Sequence, residues 1–147
     1  MQKHLQFSQA RSCDLAGIRT IALSYPEEFA TYYDRFPMMV RNRQVFVIKK
    51  NDVVLAFATY GINKDDPKEC FTSSARSASI TRKELSADWL RSQFELVLLQ
   101  RGFKKFTAHV RVVNKNAIKM LLRHGYRQVA NTATLDKSHW LQFCKIS

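Results

Sequence analysis

Two neighbouring cations, Arg82 and Lys83, stand at the start of a predicted amphipathic helix. Cations at a helix N-terminus oppose the helix dipole, so they are unfavourable there unless an anion lies nearby. The backbone N–H groups of a first helical turn also bind phosphate. Two interpretations follow for Arg82 and Lys83: a phosphate-binding pair, or a solvated first turn without a ligand.

A second set of cations, Lys115, Lys119 and Arg123, is spaced i, i+4, i+8 on a short predicted helix. The chain has 24 Lys and Arg against 12 Asp and Glu, a formal charge of +12. Residues 82–147 hold 13 basic and 4 acidic groups, a surplus of nine. Such an excess attracts polyanions. The stripe is therefore either a solvated helix face or a surface that binds nucleic acid or a protein partner.

Metal and disulfide chemistry find little support in the sequence. Cys13, Cys70 and Cys144 are widely separated and form no CxxC pair, and the four histidines lack ligand-like spacing. We predict free thiols, a cytoplasmic location and no metal site. The longest apolar run, Val53 to Ala58, is too short to cross a bilayer, so we expect no membrane association.

The elements that must position these residues are predicted from hydrophobic period and turn signals. Strands are predicted at 3–8, 44–49, 53–60, 70–79, 105–113, 126–135 and 139–144, and helices at 12–24, from Pro26, from Arg82 to Gly102 and at 115–124. Short connections between 44 and 79 indicate an antiparallel meander. The 147 residues are thus expected to form one α/β domain, a mixed and mostly antiparallel sheet flanked by helices.

This element order, and the segment from Arg82 to Tyr126 in particular, resembles the GNAT family of acyl-CoA-dependent N-acyltransferases. The family's pyrophosphate loop has Gln or Arg first, Gly fourth and Gly or Ala sixth, and residues 82–87 (RKELSA) match the first and last positions. A later signature appears as Asn114, Ala117 and Gly125-Tyr126. The resemblance implies a single GNAT-like domain over residues 1–147.

By resemblance, the cofactor is acetyl-CoA and the acceptor is an amine of unknown identity that attacks the thioester directly. The loop would hold the pyrophosphate, and the backbone at the end of the preceding strand would pair with the pantetheine arm. The residues thereby assigned to cofactor binding are Ala78, Ser79, Ile80, Arg82, Lys83, Leu85, Ser86, Ala87 and Asn114.

The resemblance also requires a general base for the amine proton, and Glu69 and His109 are the two candidates. Each has an alternative: Glu69 follows a predicted loop and could be an exposed residue, whereas His109 could be a packed residue of a central strand. Asn114 has a structural alternative as well, because asparagine is a common helix N-cap.

Two positions depart from the family pattern. The loop glycine is Leu85 here, so its side chain must point elsewhere or block the site. The tyrosine that often protonates the CoA thiolate is Leu121, which cannot donate a proton. Thiolate protonation would therefore fall to water or to another group.

The same segment also resembles diverged members of this fold encoded by tailed phages, some of them internal virion or assembly proteins. That resemblance implies an alternative function: a GNAT-like fold kept without catalysis, in the host cytoplasm or in a virion. Its basic surface would then bind nucleic acid or a virion protein.

Overall fold

The computed structural model describes residues 4–80, 84–129 and 140–147. The strands in these ranges are β1 (Gln6–Gln9), β2 (Val45–Lys50), β3 (Val53–Asn63), β4 (Asp66–Arg76), β5 (Lys105–Arg111), β6 (Arg127–Val129) and β7 (Trp140–Ile146). The α-helices are α1 (Leu15–Leu23), α2 (Pro26–Phe29), α3 (Phe36–Arg41), α4 (Ala87–Gln100) and α5 (Lys115–Arg123). Short 3-10 turns precede α1 and α3.

The strands form one sheet in the order β1-β2-β3-β4-β5-β7-β6. β1 with β2, β2 with β3, β5 with β7 and β6 with β7 pair antiparallel, whereas β4 and β5 pair parallel. A parallel pair needs a long crossover connection, and α4 supplies it between β4 and β5. These features confirm the predicted α/β fold class.

The chain divides into two compact units, residues 1–60 with 74–94, and residues 61–73 with 95–147. In the first unit, Phe57 of β3 packs edge-on against Phe29 of α2 at 5.0 Å and Phe36 of α3 at 5.5 Å. On the opposite face of the sheet, Phe46 of β2 packs against Phe94 of α4 at 5.8 Å. Successive strand residues point to opposite faces, so this unit carries helices on both sides of the sheet.

In the second unit, β5 lies between β4 and β7. Its residues Phe106, Ala108 and Val110 are buried, as the predicted alternation requires. The second half of α4 is anchored by the buried Glu95, which accepts hydrogen bonds from Tyr126 Oη at 2.8 Å and from Lys145 Nζ at 2.7 Å.

Several predicted boundaries were wrong. The stretch 61–68, expected to be a loop, is largely extended, since β3 runs to Asn63 and β4 begins at Asp66. Only two residues are needed for the turn, because Asn63 Oδ1 accepts from the Asp65 N–H at 2.9 Å. The continuous helix predicted from Pro26 is instead α2, a 3-10 turn and α3.

The predicted C-terminal end of α4 lies close to the observed one. α4 ends at Gln100, two residues before Gly102, whose φ of +95° is the left-handed conformation that glycine tolerates best. On α5, Leu122 was expected to face inward but is 53% exposed, whereas Met120 is buried. Of the strand predicted at 126–135, Arg127–Val129 is β6, and residues 130–135 lie outside the described residues.

Candidate functional site

The two predicted proton acceptors lie on one face of the parallel strands β4 and β5. Thr107 Oγ1 on β5 donates a hydrogen bond to Glu69 Oε2 on β4. The rings of Phe71 and His109, two residues further along each strand, face each other with centroids 6.4 Å apart. Because alternate strand residues share a face, Glu69, Phe71, Thr107 and His109 belong to the same side of the sheet.

Glu69 lies inside β4 and is 6% exposed, so the alternative of an exposed loop residue is wrong. Its Oε1 accepts a hydrogen bond from Asn63 Nδ2 at 2.7 Å and lies 3.9 Å from Lys105 Nζ. Its Oε2 accepts from Thr107. Both carboxylate oxygens therefore have protein partners, and the side chain is fixed in one orientation.

His109 is half-buried on β5, opposite Gln142 of β7. Burial lowers the pKa of His109 below its usual 6.5, and a hydrogen bond with the Gln142 side chain opposes part of this effect. Its Nε2 is buried and, within residues 4–80, 84–129 and 140–147, has no hydrogen-bond partner. At neutral pH the ring is thus uncharged, which is the form that a general base requires.

The ladder between β4 and β5 stops beside His109. Residues Glu69–Thr72 pair with Lys105–Ala108, and within these two described strands the pairing ends there. All seven residues of β5, through Arg111, pair with β7 on the other side. An extended ligand can add to a strand edge whose backbone groups are not used by the sheet.

Four residues of the predicted phosphate loop, 84–87, are described, and Arg82 and Lys83 lie outside the described residues. Ser86 caps α4, since its Oγ accepts a hydrogen bond from the Trp89 N–H at 3.0 Å, and Ala87 is the first helical residue. The Leu85 side chain is fully buried, and its carbonyl accepts from Arg76 Nη1 at 2.6 Å. With no accessible surface, that side chain does not line a surface that a ligand could reach.

Ala78, Ser79 and Ile80 were expected at the end of a strand, and this part of the prediction was wrong. β4 ends at Arg76, and the Ile80 N–H donates to the Ser77 carbonyl at 3.1 Å to close a turn. The Ser77 and Ser79 hydroxyls lie 3.0 Å apart.

Asn114 is the N-cap of α5, as predicted: its Oδ1 accepts a hydrogen bond from the Ala117 N–H at 3.2 Å. Leu121, at the position of the family's tyrosine, is buried on the same helix.

The sequence analysis missed the partners of the two proton acceptors. Thr107 and Lys105 were detectable, because alternation along β5 places them with His109 on the face opposite Phe106 and Ala108. Asn63 was assigned to a loop, and no local signal pairs it with Glu69. Nor does any local signal place Gln142 opposite His109.

In the described part of the chain, no group of three His, Cys, Asp or Glu side chains could hold a metal ion. None of the helices described is long and apolar enough to cross a membrane.

Neither a protein-family model nor a curated relative matches the sequence. Solved structures do match over nearly the whole chain. One is a GNAT-family acetyltransferase from Bacillus cereus ATCC 10987, with TM-score 0.76, 16% identity and coverage of 97% of this chain and 96% of that one. A second is a ribosomal-protein-alanine N-acetyltransferase from Brucella melitensis, with TM-score 0.77, 14% identity and coverage of 97% and 99%.

A third is a Salmonella typhimurium protein solved with its cofactor acetyl-CoA, with TM-score 0.69, 17% identity and coverage of 97% of this chain and 91% of that one. At sequence identities this low, the similarity shows a shared fold and nothing more. These structures give no support to a phage origin, a virion role or a nucleic-acid partner. The TM-scores and coverages show that the chain has the fold of the GNAT acetyltransferases.

Proposed function

We propose that this protein is an acyl-CoA-dependent N-acetyltransferase in which an amine attacks the thioester directly. The observation that carries the proposal is the position of His109, which lies where the β4/β5 ladder stops and whose Nε2 has no hydrogen-bond partner among the described residues. Burial lowers the pKa of this ring, which favours its neutral form. An amine that attacks a thioester must lose a proton, and a neutral imidazole can accept it. The likeness to acetyltransferases across 97% of the chain supports the same class of reaction.

His109 fits the role of base better than Glu69. Both candidates are buried at their basic atoms, but both oxygens of Glu69 already accept hydrogen bonds. The His109 ring is half-buried and its Nε2 is unpartnered. Glu69 would then be a positioning residue, which holds Thr107 and thereby β5 beside β4. Leu121 offers no proton, so water would protonate the leaving thiolate.

The residues before α4 fit a phosphate-bearing cofactor. Ser86 caps this 14-residue helix, and the N–H groups of a first turn have no partners within the helix. Leu85, which stands where a glycine was expected, keeps its side chain in the interior. The backbone of Leu85, Ser86 and Ala87, with Arg82 and Lys83, would hold the cofactor's phosphates. When bound, acetyl-CoA would supply the activated acetyl group.

The first test is thermal unfolding with CoA and with acetyl-CoA over a concentration series. A ligand at 100 times its dissociation constant stabilises the folded state by about 2.7 kcal/mol, which raises Tm by about 5–10 °C for a chain of this length. Saturable stabilisation supports the proposal. An unchanged Tm at millimolar CoA would contradict it.

The second test is a panel of primary amines with acetyl-CoA, followed by release of the free CoA thiol. We expect His109→Asn to lower kcat about 100-fold or more while the dissociation constant for CoA stays unchanged. His124→Asn, the same substitution at the residue that ends α5, is the matched control and should retain activity. Equal activity of the two variants would remove His109 from the mechanism.

A second candidate function follows from the charge distribution. From Leu96 to Val129 the chain has no Asp or Glu and eight Lys and Arg. On α5, Lys115, Lys119 and Arg123 are all exposed, and Lys115 lies in the first turn, where a cation opposes the helix dipole. Like charges four residues apart also destabilise a helix. A cation pattern that weakens its own helix fits a surface that binds the phosphate backbone of nucleic acid.

Binding of duplex DNA measured against salt concentration tests this surface. If it contacts phosphates, log K should fall linearly with log salt, with a slope of about −0.9 for each phosphate neutralised. Lys115→Ala with Lys119→Ala should make the slope shallower by about two. A flat response to salt, or an unchanged slope in the double variant, would exclude the surface as a nucleic-acid site.

A further inference from the structure

Arg76, the last residue of β4, is held at both its backbone and its side chain. Its carbonyl accepts a hydrogen bond from Tyr25 Oη at 2.8 Å. Its guanidinium Nη1 donates to the Leu85 carbonyl at 2.6 Å, nine residues further along the chain. One side chain thus ties the end of β4 to the segment that begins α4.

The orientation of Arg76 follows from its neighbours. The Ser77 N–H donates to the Leu55 carbonyl of β3 at 2.7 Å. In a trans peptide the C=O and the following N–H point in opposite directions, so the Arg76 carbonyl faces away from β3 and toward Tyr25. The backbone of Arg76 is therefore fixed from two sides, and its side chain leaves a rigid base.

Leu85 is held equally firmly. Its side chain has no accessible surface, and its carbonyl is bonded to Arg76. The next residue, Ser86, caps the helix through the Trp89 N–H. A hydrogen bond from a charged donor is worth more than one between neutral groups. The conformation of residues 85–86 is thus set by the contact with Arg76 from one side and by the helix cap from the other.

We propose that Arg76 is the positioning residue of the cofactor loop. This inference rests on the proposed function. A loop glycine would let the backbone adopt its shape without a side chain. Here the loop has Leu85 instead, and the conformation at Leu85 is fixed by its buried side chain and by the Arg76 guanidinium that bonds to its carbonyl. Arg76 and Leu85 would act as one unit, and acyl-CoA affinity would depend on their contact.

The test compares wild type with Arg76→Gln, Arg76→Lys and Tyr25→Phe in steady-state kinetics and in CoA binding. Arg76→Gln should raise the dissociation constant for CoA about tenfold or more, given the usual strength of a charged hydrogen bond. KM for the amine and kcat should change little. Arg76→Lys, which keeps a charged donor, should recover part of the affinity. Tyr25→Phe removes one of the two contacts that fix the Arg76 backbone but leaves the guanidinium contact with Leu85, so it should weaken CoA binding less than Arg76→Gln does.

A double-mutant cycle of Arg76→Gln and Leu85→Ala separates a joint role from two independent ones. If the residues act as a unit, the double variant should bind CoA about as weakly as the weaker single variant. Additive losses in CoA affinity would contradict a joint role. Equal losses in CoA affinity, amine KM and kcat would also overturn the assignment, because a general loss of structure affects all three. If the wild type and Arg76→Gln bind CoA equally well, the role of Arg76 is contradicted and the proposed function is not. If the wild type does not bind CoA, both the proposed function and the role of Arg76 are contradicted.

Discussion

Thr107 Oγ1 donates a hydrogen bond to Glu69 Oε2 between two parallel strands, and both side chains are buried. The carboxylate carries one donor on each oxygen, Asn63 on Oε1 and Thr107 on Oε2. A buried carboxylate that loses a partner retains the cost of desolvation without compensation. The pair therefore links the stability of the β4/β5 ladder to the orientation of Glu69.

Replacement of Thr107 by valine preserves the shape of the side chain and removes the hydroxyl. We expect Thr107→Val to lower the free energy of unfolding by about 1–3 kcal/mol, because Glu69 Oε2 is left without its donor. Urea unfolding at neutral pH measures the loss. Thr107→Ser keeps the hydroxyl and should be closer to wild type. A valine variant as stable as the serine variant would show that the hydrogen bond contributes nothing.

Local sequence patterns predicted much of this face of the sheet but not its contacts. Alternation along β5 separates Phe106 and Ala108 from Thr107 and His109, and that separation is observed. The parallel pairing of β4 with β5, however, depends on residues nearly 40 positions apart in the chain. Burial of Glu69 follows from that pairing, which is why its sequence position after a predicted loop was misleading.

In the region before α4, too, local sequence patterns did not predict contacts between residues that are distant in the chain. The helix begins at Ala87, five residues after the predicted start at Arg82. The position of Leu85 depends on Arg76, which was predicted as part of a strand without any role for its side chain. A hydrogen bond from a side chain to a distant backbone carbonyl leaves no period or motif in the sequence, so the loop's anchor could be found only in the structure.

Gly17 in α1 lies against Val54 of β3. A Cβ added at Gly17 would lie 2.8 Å from Val54 Cβ and 2.9 Å from Val54 Cγ2. Because Val54 is branched at Cβ, it cannot swing aside. We expect Gly17→Ala to destabilise the fold by about 1–3 kcal/mol, more than the gain of about 1 kcal/mol that alanine brings to a helix.

The sign should reverse once Val54 is shortened. In a Val54→Gly background, Gly17→Ala should stabilise the protein by up to about 1 kcal/mol relative to Val54→Gly alone, since both contacting carbons of Val54 are gone and the helix preference remains. Thermal or urea unfolding of the four proteins measures both effects. A stabilising Gly17→Ala in the wild-type background would mean that α1 and β3 lie further apart than 2.8 Å implies.

Glu95 is buried and bonded to both Tyr126 and Lys145. Lys145→Met removes the cation, so that of these two hydrogen bonds to the Glu95 carboxylate only the one from Tyr126 is left. Breaking a buried ion pair from one side costs about 3–5 kcal/mol, and the lower end applies here because the Lys145 side chain is 27% exposed. The double variant Glu95→Gln with Lys145→Met should be more stable than Lys145→Met alone. If the two losses simply add in urea unfolding, the charges do not interact.

His109 should make the stability of the protein depend on pH. Its folded pKa lies below 6.5, whereas the unfolded chain titrates near 6.5. Above 6.5 the ring is neutral in both states and contributes no pH dependence. As the pH falls below 6.5, the unfolded chain binds a proton that the folded chain resists, so the free energy of unfolding decreases until the folded pKa is passed.

His109→Asn isolates this contribution, because asparagine does not titrate. Between pH 7 and pH 5 the wild type should lose stability more steeply than His109→Asn, when both are measured by urea unfolding at the same ionic strength. The same substitution at His124, the C-cap of α5, serves as the comparison variant. Parallel profiles for wild type and His109→Asn would mean that the ring is not protected from protonation in the fold.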